Sequence, residues 1–107
     1  MTKKVYTRSQ ISEILRPVFR EHNVKRAVLF GSYADGSARE TSDIDILVDS
    51  GLKGLAFFGL LEDVSESLDK PVDLIDTSQL LQDSEADSEI RKHGVVIYEY
   101  SGVDLPV

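Results

Sequence analysis

From Ala27 to Asp49 the chain reads Ala-Val-Leu-Phe-Gly-Ser-Tyr-Ala-Asp-Gly-Ser-Ala-Arg-Glu-Thr-Ser-Asp-Ile-Asp-Ile-Leu-Val-Asp. Three pieces follow in order: an apolar run, Ala27 to Phe30; a Gly-Ser turn at Gly31 and Ser32, with a second glycine at Gly36; and an alternating run, Asp43 to Val48. A run that is apolar on both faces predicts a central strand over 25–30. Gly31 breaks it. Ser32 to Asp35 fits the first turn of a short helix, and Gly36 a left-handed stop. Residues 37–42 read as a polar loop and 43–48 as a second strand.

Side chains alternate along a strand, so Asp43 and Asp45 share one face while Ile44, Ile46 and Val48 turn to the core. The two Cα atoms then lie roughly 6.6–6.8 Å apart. Carboxylates this close raise each other's pKa, and a bound cation reverses that effect. Oxygen ligands suit Mg²⁺, which keeps places for water and substrate phosphates. Two such ions can stabilise the attacking and leaving oxygens of a displacement at phosphorus. An Asp-x-Asp pair also serves an edge strand as a charge against aggregation. Upstream, the backbone N–H groups where a strand feeds a helix favour anions, and Gly31 lets a phosphate approach. Ser32 can add a hydroxyl bond, although Ser32-x-x-Asp35 also fits a capping box.

Outward from this stretch, Thr7-Arg8-Ser9-Gln10 matches a capping box, and Ile11, Ile14, Leu15, Val18 and Phe19 follow helical spacing over 8–22. Pro17 is expected to kink that helix or end its regular part. Leu55, Phe58, Leu61, Val64 and Leu68 mark a helix over about 55–69. Pro71 opens a third strand, Val72 to Ile75, in which Asp73 is a candidate third carboxylate that could hold a metal and accept a proton. Asp76 falls on the opposite strand face and Asp49 at a strand end, so both rank lower. Residues 78–92 read as a polar helix with a possible break near Gln82-Asp83, and Val95 to Tyr98 as a last strand. The acidic run Asp83 to Glu89 reads as a solvated helix face. Residues 1–6 read as a basic tail, and the segment after Ser101 as loose. The order α-β-α-β-α-β-α-β makes one α/β domain over 1–107.

Composition narrows the classes. The chain has no cysteine, so thiolate metal sites and disulfides are excluded. It has no apolar run long enough to span a membrane, and its first residues lack an apolar signal core. A cytoplasmic location is the expectation. The formal charge of −7 argues against direct nucleic-acid binding and suits a partner with a basic face. His22 and His93 are lone histidines with no assigned role.

Gly31-Ser32, four residues to Ser37, then Ser42-Asp43-Ile44-Asp45-Ile46-Leu47-Val48 resembles the signature of the DNA polymerase β-like nucleotidyltransferase superfamily. Phe-Gly-Ser-Tyr-Ala-Asp-Gly and the short chain resemble its minimal nucleotidyltransferase (MNT) branch. The resemblance implies a small mixed sheet flanked by helices, two Mg²⁺ ions and an NTP, such as ATP, as substrate. It places Gly31 and Ser32 on the phosphate-binding pair, Asp43 and Asp45 on the metal ligands, and Asp73 on the third carboxylate. Arg39 occupies a loop position often basic in the family. Many minimal members carry arginine where this chain has Asp35. Larger relatives add a domain for the acceptor, so an acceptor pocket here is expected from a partner or an oligomer. In the MNT branch that partner is a HEPN-domain toxin RNase, and the MNT protein resembles an antitoxin that transfers a nucleotide, commonly AMP, to a toxin tyrosine. The alternatives are an antitoxin that acts by binding alone and a small-molecule, aminoglycoside-type nucleotidyltransferase.

Overall fold

The computed structural model describes residues 4–100; the expectations for residues 1–3 and for the segment after Ser101 lie outside them. Four strands form a mixed sheet in the order β3-β2-β1-β4. These are β1 (Arg26–Phe30), β2 (Ile44–Asp49), β3 (Val72–Asp76) and β4 (Val95–Glu99). β1 pairs antiparallel with β2 and with β4, whereas β2 and β3 run parallel. The helices are α1 (Arg8–Glu21), α2 (Ser32–Asp35), α3 (Gly54–Leu68) and α4 (Glu85–His93). The α/β order and the mixed sheet follow the sequence reading, and β1 is interior to the sheet.

α1 and α3 cover one face of the sheet. α1 buries Ile11, Leu15 and Phe19, and α3 buries Leu60, Val64 and Leu68. Both sets repeat every four residues, which keeps them on one side of a helix. They meet Ala27, Leu29, Ile44, Ile46 and Val48 from the central strands. Full burial of a side chain such as Phe19 contributes about 1.5–3 kcal/mol. The other face holds a smaller cluster of Val28, Phe30 and Leu47, against which Ile75, Leu80 and Ile90 pack. The apolar character of β1 on both sides is thus consumed by two different layers.

Local signals explain the ends. Thr7 accepts from the Gln10 backbone N–H at 3.0 Å, and the Gln10 side chain accepts from the Thr7 N–H at 2.9 Å, completing the capping box. Gly36 closes α2 with φ 85°. Between α1 and α3, His22 Nε2 lies 2.7 Å from Asp63 Oδ2, a tie between helices.

Two expectations are corrected and a third is refined. Pro17 does not end α1, which continues to Glu21. Pro17 and Glu13, whose carbonyl loses its helical partner, are both exposed, so that group is open to solvent while Val18 and Phe19 still pack inward. The break near Gln82-Asp83 is present: Asp83 has φ 64° and α4 begins after it, while the stretch before it is only a 3₁₀ turn, Thr77–Gln79. Leu55 and Phe58 do not face the core; they are 89% and 53% exposed. The buried stripe of α3 passes through Phe57, Leu60, Leu61, Val64 and Leu68 instead. None of the described helices is long and apolar enough to cross a membrane.

Candidate active site

The sheet sets out the carboxylates. Asp45 faces Phe30 across the β1–β2 pair and Asp73 across the β2–β3 pair. Phe30, Asp45 and Asp73 therefore form one row over three strands, on the face opposite α1 and α3. Asp43 lies one residue before β2 and is exposed; Asp45 is half-buried; Asp73 is exposed. Burial pushes the Asp45 carboxyl up to about 6, and the charges of Asp73 and Asp43 push the same way. Both neighbours are thus felt at Asp45.

The Gly31 turn presses against this row. Gly31 has φ 71° and ψ −152°, a conformation in which a side chain is strained. A Cβ there would collide with Asp45 Oδ2. The backbone conformation favours glycine, and its missing Cβ lets the turn lie against the Asp45 carboxylate. Gly31 itself is the N-cap of α2, with no side-chain cap, and Ser32 is the first helical residue. The capping-box reading of Ser32-x-x-Asp35 therefore fails: the Ser32 hydroxyl makes no hydrogen bond among the described residues. Asp35 instead accepts from the Ser37 N–H at 2.9 Å and the Ser37 hydroxyl at 2.6 Å. These bonds hold its carboxyl below the usual range, with a small contribution from His93.

The loop between α2 and β2 is anchored at two points. Arg39 N–H donates to Ser42 Oγ and Ser42 N–H donates to the Arg39 carbonyl, both at 2.9 Å. Lys70, buried, donates to the Glu40 carbonyl at 2.9 Å. The Arg39 guanidinium is exposed and makes no ion pair among the described residues.

A cleft of about 600 Å³ opens over the Phe30–Asp45 end of the row, while Asp43 and Asp73 do not line it. Phe30, Gly31 and Asp45 form one wall. Glu85, Glu89, Lys92 and His93 of α4 form the other. This second wall escaped sequence reading, although Glu85, Glu89 and Lys92 stand at i, i+4 and i+7 and so share a helix face. The acidic run is correspondingly not a simple solvated face. Asp87 is buried, accepts from the Asp83 N–H at 2.9 Å and lies 2.7 Å from Arg91 Nη2.

Asp76, ranked lower, is structural. It is buried on the other face and accepts from the backbone N–H and hydroxyl of both Ser50 and Ser78, at 2.6–3.0 Å. Burial raises its pKa, but those four bonds outweigh burial and hold it below the usual value.

Among the described residues no three His, Cys, Asp or Glu side chains converge as a ready-made metal cage. Mg²⁺ does not need one, because it binds through one or two carboxylates together with substrate phosphates. The repelled, half-buried Asp45 beside Asp43 and Asp73 fits such an ion. When bound, the ion supplies charge neutralisation and polarises phosphate oxygens.

A chain from a toxin–antitoxin complex with AMP-PNP superposes on this fold with a TM-score of 0.71, 24% identity, and coverage of 85% of this chain and 75% of that one. A chain from a complex of a tri-AMPylated Shewanella oneidensis HEPN toxin with an MNT antitoxin gives 0.66, 22%, 92% and 77%. At these identities the likeness is one of fold alone. In sequence, three proteins of Methanocaldococcus jannaschii named "Putative protein adenylyltransferase" are similar. MJ0435 is 45% identical over 71 residues, covering 61% of this chain and 75% of its own. MJ1215 is 42% identical over 81 residues, 70% and 94%. MJ0126 is 43% identical over 75 residues, 64% and 76%. Residues 10–102 match the family described as Polymerase beta, Nucleotidyltransferase, and the chain belongs to that family as a nucleotidyltransferase.

Proposed function

We propose that the chain is a Mg²⁺-dependent nucleotidyltransferase antitoxin. Its single domain transfers a nucleotide, AMP from ATP, to a tyrosine hydroxyl of a HEPN-domain toxin RNase in the cytoplasm and so neutralises it. The observation that carries the reading is the in-register row of Asp45 and Asp73 against the Gly31 turn. The adenylyltransferase name of the similar proteins and the toxin–antitoxin complexes that share the fold support the choice of AMP and of partner.

In this reading Asp43, Asp45 and Asp73 hold the two metal ions, and Gly31 and Ser32 receive the triphosphate, with Arg39 available from the loop. The free Ser32 hydroxyl and the exposed turn suit an anion. The partner's hydroxyl oxygen attacks the α-phosphorus, and Asp73 accepts its proton. The bond from the α-phosphorus to the bridging oxygen breaks, and pyrophosphate leaves. The adduct places a bulky anionic group on the toxin, which blocks RNA by charge and size. The charge of −7 suits a basic, RNA-binding partner.

Intact mass of the toxin after incubation with this protein, Mg²⁺ and each NTP tests the proposal. A gain of one or more nucleotidyl groups is expected with wild type and none with Asp43→Asn. No gain with any NTP, together with full neutralisation by Asp43→Asn, overturns the enzymatic reading in favour of simple occlusion.

A further inference from the structure

We propose that Lys92 binds the β- and γ-phosphates of the nucleotide, reaching them from α4 across the cleft from the Gly31 turn. The inference rests on the nucleotidyl-transfer reading above and adds the cation that receives the pyrophosphate part of the substrate.

Three observations lead to Lys92. It lines the cleft that Gly31 and Asp45 line from the opposite wall. It makes no hydrogen bond or ion pair among the described residues. Its neighbour Arg91 differs in this respect, lying 2.7 Å from Asp87 and 3.9 Å from Asp83. One of two adjacent cations thus fastens α4, and the other is left at the cleft.

The third observation is how α4 ends. Gly94 closes it, and a Cβ at Gly94 would stand 2.8 Å from Val28 Cγ1 and closer still to the Ile90 carbonyl. The glycine lets the end of α4 lie directly on β1, and Val95 then pairs with Leu29, two residues before Gly31. Lys92 is consequently held near the strand end where the Gly-Ser turn begins, on a helix end with little freedom to withdraw.

Charge gives the arrangement a purpose. The rest of the cleft is acidic: Asp45 lies on the opposite wall, Glu85 and Glu89 stand on α4 beside Lys92, and Asp35 stands close enough to His93 to feel its charge. A triphosphate entering such a cleft is repelled by the protein. Metal ions offset that at the carboxylate row, while phosphates further along need a cation of the protein's own. A lysine ammonium serves as a point charge for phosphate without a fixed geometry. The competing role for a cation in a last helical turn is to offset the helix dipole, which acts on stability alone.

Calorimetric titration of Mg²⁺–AMP-PNP and of Mg²⁺–pyrophosphate into wild type, Lys92→Gln and Lys92→Arg separates these roles. Lys92→Gln should weaken both ligands roughly tenfold, as expected for loss of a charge-assisted phosphate contact. Lys92→Arg, which keeps the charge, should retain most of the affinity, and the ligand-free melting temperature should hold in both variants. If wild type binds and Lys92→Gln binds equally well, the inference falls while the proposed function stands. Equal weakening in the Gln and Arg variants also overturns it, because charge is then not the agent. Failure of wild type to bind either Mg²⁺ ligand overturns the inference and the proposed function together.

Discussion

Asp45 and Asp73 stand side by side in the parallel register of β2 and β3, so two like charges are neighbours on one sheet face. No cation of the protein is bonded to either among the described residues. The row therefore carries electrostatic cost in the ligand-free protein, in the manner of a site built for a ligand of opposite charge.

That cost has a pH signature. Asp45 titrates near 6 in the folded chain against roughly 3.9 when unfolded. The folded state binds the proton more tightly, so the Asp45 contribution to stability falls as pH rises through this window and remains a penalty above it. Asp45→Asn should be more stable than wild type at pH 7, by roughly 1 kcal/mol once solvent screening is allowed for. The two should converge near pH 4. Denaturant melts at pH 4, 5, 6 and 7 test this; a constant difference across the series would refute it.

Metal should act on the same row. ATP with Mg²⁺ should raise the melting temperature of wild type more than ATP with EDTA, because ligand binding stabilises by mass action. The Mg²⁺-dependent part should be lost in Asp43→Asn and in Asp45→Asn. Equal shifts with Mg²⁺ and EDTA would count against the carboxylates as metal ligands.

Gly31→Ala combines a strained backbone with a collision at Asp45 Oδ2. The expected loss of stability is about 1–3 kcal/mol. Transfer activity should fall further than stability explains, because either the turn or the Asp45 carboxylate must shift. Gly59→Ala is the control: it has open space around its Cβ within α3. It should gain up to about 1 kcal/mol by helix propensity. Urea melts and nucleotide-transfer assays on both variants give the comparison.

Asp76→Ala removes the acceptor that joins Ser50 to Ser78. Leaving those donors unpaired should cost roughly 2–3 kcal/mol, with transfer by the remaining folded protein near normal. Since the folded pKa of Asp76 is depressed, its contribution in wild type is lost as pH falls through that value. Unaltered stability in the variant would mean that the serines find other partners.

The corrected face of α3 is open to the same kind of measurement. Leu55→Ser should change stability by no more than about 0.5 kcal/mol, as for other exposed positions. Leu60→Ala, fully buried, should cost roughly 2–5 kcal/mol. Similar costs at the two positions would restore the stripe through Leu55 and Phe58.

The sequence by itself determined the elements and their order, because the signals that set them are local. Thr7 and Gln10 cap α1 through bonds three residues apart. The apolar run ending at Phe30 and the alternation from Asp43 carry strand periodicity without reference to any partner. The pairing of Gly31-Ser32 with Asp43 and Asp45 was legible for the same reason, since one loop joins them. What joined residues distant in the chain was decided only by the tertiary structure. The register Phe30–Asp45–Asp73 depends on hydrogen bonds between three strands, and one step of slip would turn Asp73 to the other face. Which turn of α3 meets the core depends on where the sheet ends, so periodicity alone placed Leu55 and Phe58 on the wrong side. Pro17 was judged by its missing N–H, whereas its exposure, a property of the packed fold, made the loss tolerable. The wall of α4 is the furthest case. Lys92 and Gly31 are 61 residues apart in the chain, and they face one cleft only because β4 returns along β1 and Gly94 lets the helix end rest on Val28.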